Sequence, residues 1–209
     1  MSTTAMNDPR PEMVRLCRLA YERRLLDSAG GNVSCRVDGR IYLSRSYAGA
    51  RWQWHLSESD FVVLDAEGRR LGGEGELSRE AAVHLACYAA FPAAGCVWHA
   101  HPLNVMVYVS AGVPIPPGSE QSDKFGVIDY CEHAPAHTAD LARNVVAALQ
   151  RQADRLSRHP IATLVPRHGI FLVGKDLATT YDALERIDRS AYQGLMRRLL
   201  TREDPCGRE

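Results

Sequence analysis

The chain lacks several features that would settle its class at once. No apolar run in its 209 residues approaches the length of a membrane-spanning helix. The stretch Met1 to Met13 is polar and lacks the apolar core of a signal peptide. Charge of one sign is also missing: 25 basic side chains balance 25 acidic ones, so no global field draws the chain to nucleic acid or to an anionic membrane. An anionic substrate must then be held by local groups. The six cysteines, Cys17, Cys35, Cys87, Cys96, Cys131 and Cys206, form no C-x-x-C pair, which excludes zinc-ribbon and thioredoxin-type motifs. A chain of this size needs no disulfide staples, so the expectation is reduced thiols in a cytoplasmic protein. Gly30-Gly31-Asn32 is not a G-x-G-x-x-G fingerprint, and no P-loop, repeat or low-complexity segment occurs.

What is present is a globular composition, 45% hydrophobic, with room for one core. Helical periodicity covers Pro11 to Leu26 and stops at Gly30-Gly31. Asn32–Val37 and Arg40–Ser44 read as a hairpin joined by Asp38-Gly39. Phe61–Asp65 reads as a strand, and Gly72, Gly73 and Gly75 as a flexible loop. Ser78 is a candidate N-cap for a helix over Arg79–Phe91, followed by a strand over Cys96–His101 and a helix from Pro102 to Ala111. An irregular loop with Pro114, Pro116, Pro117 and Gly118 leads to a short strand over Val127–Cys131. A helix over Ala139–Leu156 with Thr138 as cap, strands over Ile161–Val165 and Ile170–Val173, and a helix over Leu177–Leu200 complete the pattern. Short strands interleaved with helices predict an α+β fold, a single-domain α/β/α sandwich around a largely antiparallel sheet. Residues 11–200 form that domain, with flexible ends at 1–10 and 201–209.

The chemistry gathers at Val97-Trp98-His99-Ala100-His101-Pro102. In a strand, alternation puts Val97, His99 and His101 on one face and Cys96, Trp98 and Ala100 on the other. Two imidazoles on one face make a bidentate ligand for zinc, copper, iron or nickel. Two further segments supply partners. Glu80 sits in the first turn of the preceding helix, and His168 sits at a tight turn between two apolar strands. Three histidines with an open fourth position form a catalytic zinc arrangement, and a nearby carboxylate can move protons.

The order G-G-N-V-S, L-S-R-E, H-A-H-P and R-H-G resembles the class II aldolase/adducin family over roughly Leu16 to Leu200. That family includes fuculose-phosphate and rhamnulose-phosphate aldolases, ribulose-phosphate 4-epimerase and methylthioribulose-phosphate dehydratase. The resemblance implies His99, His101 and His168 as ligands of a divalent metal: zinc, with manganese, cobalt or iron as alternatives. It implies Glu80 as acid/base, and Gly31, Asn32, Ser44, Ser78 and Arg79 at the positions of a phosphate pocket. It implies a lyase of carbohydrate metabolism that breaks a C–C bond of a small hydroxy-carbonyl substrate, a sugar phosphate, through a metal-stabilised enediolate. It also implies a homotetramer.

The chain departs from the family pattern at Arg79, where serine is usual, and over Ser44-Arg45-Ser46-Tyr47-Ala48-Gly49, with Trp52 and Trp54 close behind. Dehydration, epimerisation or decarboxylation would use the same centre. Non-haem iron oxygenation, with Glu80 as carboxylate ligand, and a non-catalytic adducin-like scaffold are the rival classes. His84 reads as structural, and His55, His133, His137 and His159 as solvated or structural. Glu120, Gln121 and Asp123 sit on the irregular loop, and Tyr181 and Tyr192 on the final helix, without an assigned role. Trp98 is expected in the core.

Overall fold

A computed structural model of the chain describes residues 8–202. The centre is a seven-stranded sheet in the order β4-β3-β2-β1-β5-β7-β6. Its strands are β1 (Asn32–Val37), β2 (Arg40–Ser44), β3 (Phe61–Leu64), β4 (Arg70–Gly72), β5 (Cys96–Ala100), β6 (Ile161–Val165) and β7 (Gly169–Gly174). Every pairing is antiparallel. The fold class expected from the sequence is therefore the one observed.

Strand alternation sorts the core into two layers. Cys96, Trp98, Ala100, Ile170 and Leu172 pack with α1 (Arg10–Glu22), α4 (Leu103–Ala111) and α7 (Leu177–Arg202). Val97, Phe171 and Val173 pack with α3 (Ala81–Ala90) and α6 (Ala139–Gln150). Trp98 is fully buried on the first face, as the alternation requires. Two short helices, α2 (Ala48–Trp52) and α5 (Glu120–Asp123), lie in the connections.

Five local expectations change. The first helix ends at Glu22 because Arg24 turns left-handed (φ 59°) and the N–H of Leu25 bonds the Ala20 carbonyl, a Schellman-type end that drives Leu25 and Leu26 into the core. Gly72 belongs to the edge strand β4, paired to Val63, where a flexible loop was expected. Ser78 is not the cap of α3; that place falls to Glu80, whose N–H donates to the Ser78 hydroxyl at 3.2 Å. Residues 127–131 make only single bridges, Ile128 to Ile115 and Tyr130 to Leu164, because the segment passes from one partner to another. The helix expected to reach Leu156 stops at Gln150, where the Gln152 side chain donates to the Ala162 carbonyl and ties the chain to β6. Of the expected flexible ends, residues 1–7 and 203–209 lie outside the described residues; Arg10 starts α1 and residues 201–202 finish α7.

One clamp matters for the site because it docks α3. The Arg36 guanidinium on β1 donates to the carbonyls of Tyr88, Phe91, Pro92 and Ala94. These are the carbonyls at the end of α3 and in the turn after it. Arg36→Leu strands several of them and is expected to cost about 2–4 kcal/mol in urea denaturation. Arg36→Lys should recover little, since an ammonium lacks the planar fork.

Candidate metal centre and its cleft

β5 is flanked by β1 and β7, so His99 sits on the most supported backbone in the sheet and His101 follows just past its end. Asn32 pairs with His99 across one side, and Phe171 pairs with it across the other. The His99 ring stacks on Phe171 at 4.3 Å between centroids and 15° between planes. Its Nδ1–H donates to the Ile170 carbonyl at 3.2 Å. His101 Nδ1–H donates to Asp27 Oδ1 at 3.2 Å, and the same oxygen accepts the N–H groups of Ala29 and Gly30. His168 arrives on the three-residue turn between β6 and β7, where Arg167 is left-handed (φ 58°).

The three imidazoles each present a nitrogen within 4.8 Å of the others. His99 Nε2 and His101 Nε2 lie 3.2 Å apart. With both Nδ1 atoms committed as donors, both Nε2 atoms carry lone pairs, which repel unless a cation lies between them. The donor set therefore fits a divalent metal: three converging imidazoles, with His99 and His101 each held by a hydrogen bond on its far side. Burial pushes the His99 imidazolium well down and that of His168 down to about 4, which keeps both rings in the ligating form.

Two glycines make the approach possible. Gly31 is left-handed (φ 96°), and a β carbon there would lie 2.7 Å from Leu26 Cδ2 and 3.1 Å from the His99 carbonyl. At Gly169 a β carbon would lie 2.5 Å from the Ala100 carbonyl and 2.6 Å from His101 Cδ2.

The histidines open into a cleft of about 200 Å³ that is also lined by Gly31, Asn32, Ser78, Arg79 and Glu80. The structure thus brings together every residue expected at the site except Ser44. That side chain is fully buried and its hydroxyl accepts the Val33 N–H at 3.0 Å, so it holds the hairpin together away from the cleft. Asn32 is fixed from behind: its Oδ1 lies 2.5 Å from His84 Nε2, while His84 Nδ1 meets the Ser34 hydroxyl at 2.6 Å and that hydroxyl meets Tyr88 at 2.9 Å. His84 is therefore structural, as expected, and burial drives its imidazolium down to about 3. Tyr181 packs on Trp98 and Tyr192 lies on the outer part of α7; neither lines the cleft.

Sequence reasoning assigned no role in the site to four contributors. Arg45 and Tyr47 line the cleft; the Arg45 guanidinium lies 3.7 Å over Trp52 and pairs with Asp60, while Arg51 and Arg79 flank the Tyr47 ring. Asp27 orients His101 from three residues before Gly30-Gly31, a spacing that carries no motif. His137 was expected to be solvated or structural. Its Nδ1–H donates to Glu80 Oε1 at 2.6 Å, and its backbone N–H donates to the same oxygen at 3.2 Å.

Two tests follow from this geometry. Gly169→Ala is expected to lower zinc affinity about tenfold or more, read by chelator competition, because two ligand rings must move. Unchanged affinity would mean the turn yields instead. The second concerns Glu80, whose carboxyl burial raises above the ordinary range against the opposing effects of His137 and Arg79. A carboxyl with a raised folded pKa stabilises fully below its unfolded pKa of about 4.3 and loses that contribution as pH rises through the folded value. The Tm advantage of Glu80→Gln over the parent, in metal-stripped protein, is expected to grow as pH rises above about 4.3; a constant difference would contradict the raised pKa.

Comparison with known proteins agrees with the geometry. Residues 11–195 match the model of the class II aldolase and adducin N-terminal domain. L-fuculose phosphate aldolase of Methanococcus maripaludis is 25% identical over 183 residues, covering 86% of this chain and 93% of that protein. Methylthioribulose-1-phosphate dehydratase of Cronobacter sakazakii is 26% identical over 197 residues, covering 91% and 95%. Among solved structures, an L-fuculose 1-phosphate aldolase superimposes with a TM-score of 0.80 at 23% identity, covering all of this chain and 94% of the other. The L-fuculose-1-phosphate aldolase of Thermus thermophilus gives 0.77 at 20% identity, covering 95% and 99%. Among the described residues no helix is long and apolar enough to cross a membrane. On the match over residues 11–195, the chain belongs to the class II aldolase and adducin family.

Proposed function

We propose that this chain is a divalent-metal lyase, with zinc as the metal, that breaks a C–C bond in a small hydroxy-carbonyl substrate carrying a phosphate. The observation that carries the reading is the convergence of His99, His101, His168 and Glu80 on one cleft. His99, His101 and His168 would hold the metal. Bound there, it supplies a Lewis acid for the negative charge that develops on substrate oxygen. Glu80 takes the proton from the hydroxyl on the carbon that departs. Gly31, Asn32, Ser78 and Arg79 bind the anionic end of the substrate; Arg79 supplies charge where a serine offers only a hydroxyl. Ser44 drops out of that set because it lies away from the cleft, which Ser78 lines.

Dehydration is the second reading, favoured by the 26% identity to a dehydratase. It would use the same metal ligands and the same Glu80, with water as the leaving group. Product identification on L-fuculose 1-phosphate and methylthioribulose 1-phosphate separates the two. A homotetramer is part of the proposal; exposed Leu103 and Val107, one turn apart on α4, are consistent with a covered face. A cytoplasmic location is supported by the five buried, unbridged cysteines Cys17, Cys35, Cys87, Cys96 and Cys131.

The deciding experiment is metal content per subunit. The parent is expected to hold near-stoichiometric zinc, His101→Ala to lose it, and Glu80→Gln to keep it while losing turnover. Chelation should abolish activity and zinc should restore it. Full turnover in Glu80→Gln, or a parent protein that takes up no metal, would overturn the reading.

A further inference from the structure

Among the described residues, His137 is the one side chain in the cleft that grips the Glu80 carboxylate. It adopts a left-handed backbone (φ 65°), rare for a residue with a β carbon. Thr138 locks that turn, accepting the Leu141 N–H at 3.2 Å and donating to the Pro135 carbonyl at 2.7 Å. The result is that ring and backbone donors reach one oxygen together. The other oxygen, Glu80 Oε2, is buried and has no hydrogen-bond partner among the described residues. The His137 side chain keeps 37% of its surface, so core packing does not account for its place.

We propose that His137 is a positioning residue for proton transfer: it pins Glu80 through Oε1 and so makes Oε2 the oxygen that exchanges a proton with the substrate. The inference rests on the reading of Glu80 as the acid/base. Oε1 already receives two hydrogen bonds, so only Oε2 accepts a proton without breaking one. In cleavage, the substrate O–H bond breaks and an Oε2–H bond forms. The released O–H pair becomes the π bond of the departing carbonyl. The C–C pair passes to the retained fragment, whose carbon next to the carbonyl later takes the proton back from Oε2. His137 keeps its Nδ1 proton throughout, and no outside acid or oxidant is needed. Both N–H donors also oppose the burial that raises the Glu80 carboxyl.

The test uses two variants that keep the left-handed backbone. His137→Gly retains the backbone N–H and removes only the ring; His137→Asn offers a side-chain amide in its place. On a ketose phosphate panel that includes L-fuculose 1-phosphate and methylthioribulose 1-phosphate, zinc-loaded His137→Gly is expected to lose about tenfold to a hundredfold in kcat, with KM within about twofold. His137→Asn should recover a measurable part, and zinc content should stay at the parent value in both. A thermal cycle checks the contact itself: His137→Gly lowers Tm more in the parent than in the Glu80→Ala background, where no side-chain acceptor remains. Parent-like kcat in His137→Gly, or equal Tm losses in both backgrounds, overturns the inference while leaving Glu80 in its role. A parent inactive on the whole panel, or an active Glu80→Gln, overturns the reading of the site and this inference with it.

Discussion

Two imidazole nitrogens 3.2 Å apart, each turned toward the other by a hydrogen bond on its far side, are the constraint that orders this structure. In water such lone pairs would move apart. They stay here because neither ring can rotate: His99 is stacked on Phe171 and tied to Ile170, and His101 is tied to Asp27. β1 and β7 flank β5 on both sides, so the ladder cannot shear without losing bonds on two edges. The glycine at 169 then lets the turn carrying His168 close over the pair. A core built this way pre-pays the cost of assembling ligands, which is what preorganisation for a metal requires.

Helix α3 links this cluster to the rest of the cleft, and it does so through polar contacts as much as apolar ones. Glu80 caps its N-terminus, and His84 and Tyr88 follow at successive turns. His84 cannot be charged at neutral pH, so it uses one nitrogen as donor and one as acceptor. Asn32 Oδ1 takes the donor, which leaves the Asn32 amide N–H groups for the cleft. Arg36 then fastens the far end of α3 to β1. One helix therefore sets the Glu80 carboxyl and the Asn32 amide in fixed relation to each other, and β1 sets both relative to the histidines.

Much of this was legible in sequence, and the reasons are physical. Period-two alternation over Cys96–His101 placed His99 with Val97 and Trp98 on the opposite face, because a central strand leaves no third option. Asp38-Gly39 gave the hairpin, since its left-handed residues fit only such a turn. The ordered motifs gave Glu80 and the three histidines. What failed was whatever depended on distant partners. Ser44 sits where a pocket residue was expected, yet the neighbouring strand claims its hydroxyl. Gly72 looked like loop because glycine weakens strands, and pairing with β3 overrode that propensity. His137 carried no motif: its importance comes from a carboxylate 57 positions earlier, brought close by packing α6 on α3.

The cleft holds some arrangements that a fold optimised only for stability would remove. Glu80 Oε2 and Arg45 Nε are buried without hydrogen-bond partners among the described residues. Tyr47, His137 and Arg167 hold left-handed backbones, and each carries or adjoins a cleft residue. Each such feature costs on the order of 1–3 kcal/mol and persists only where the surroundings overdetermine it. The surroundings here do: Trp54 is fully buried with its indole N–H on the Asp27 carbonyl, and Thr138 locks the turn at His137. An unsatisfied carboxylate oxygen in the cleft of three converging imidazoles persists only because the surrounding scaffold holds it there.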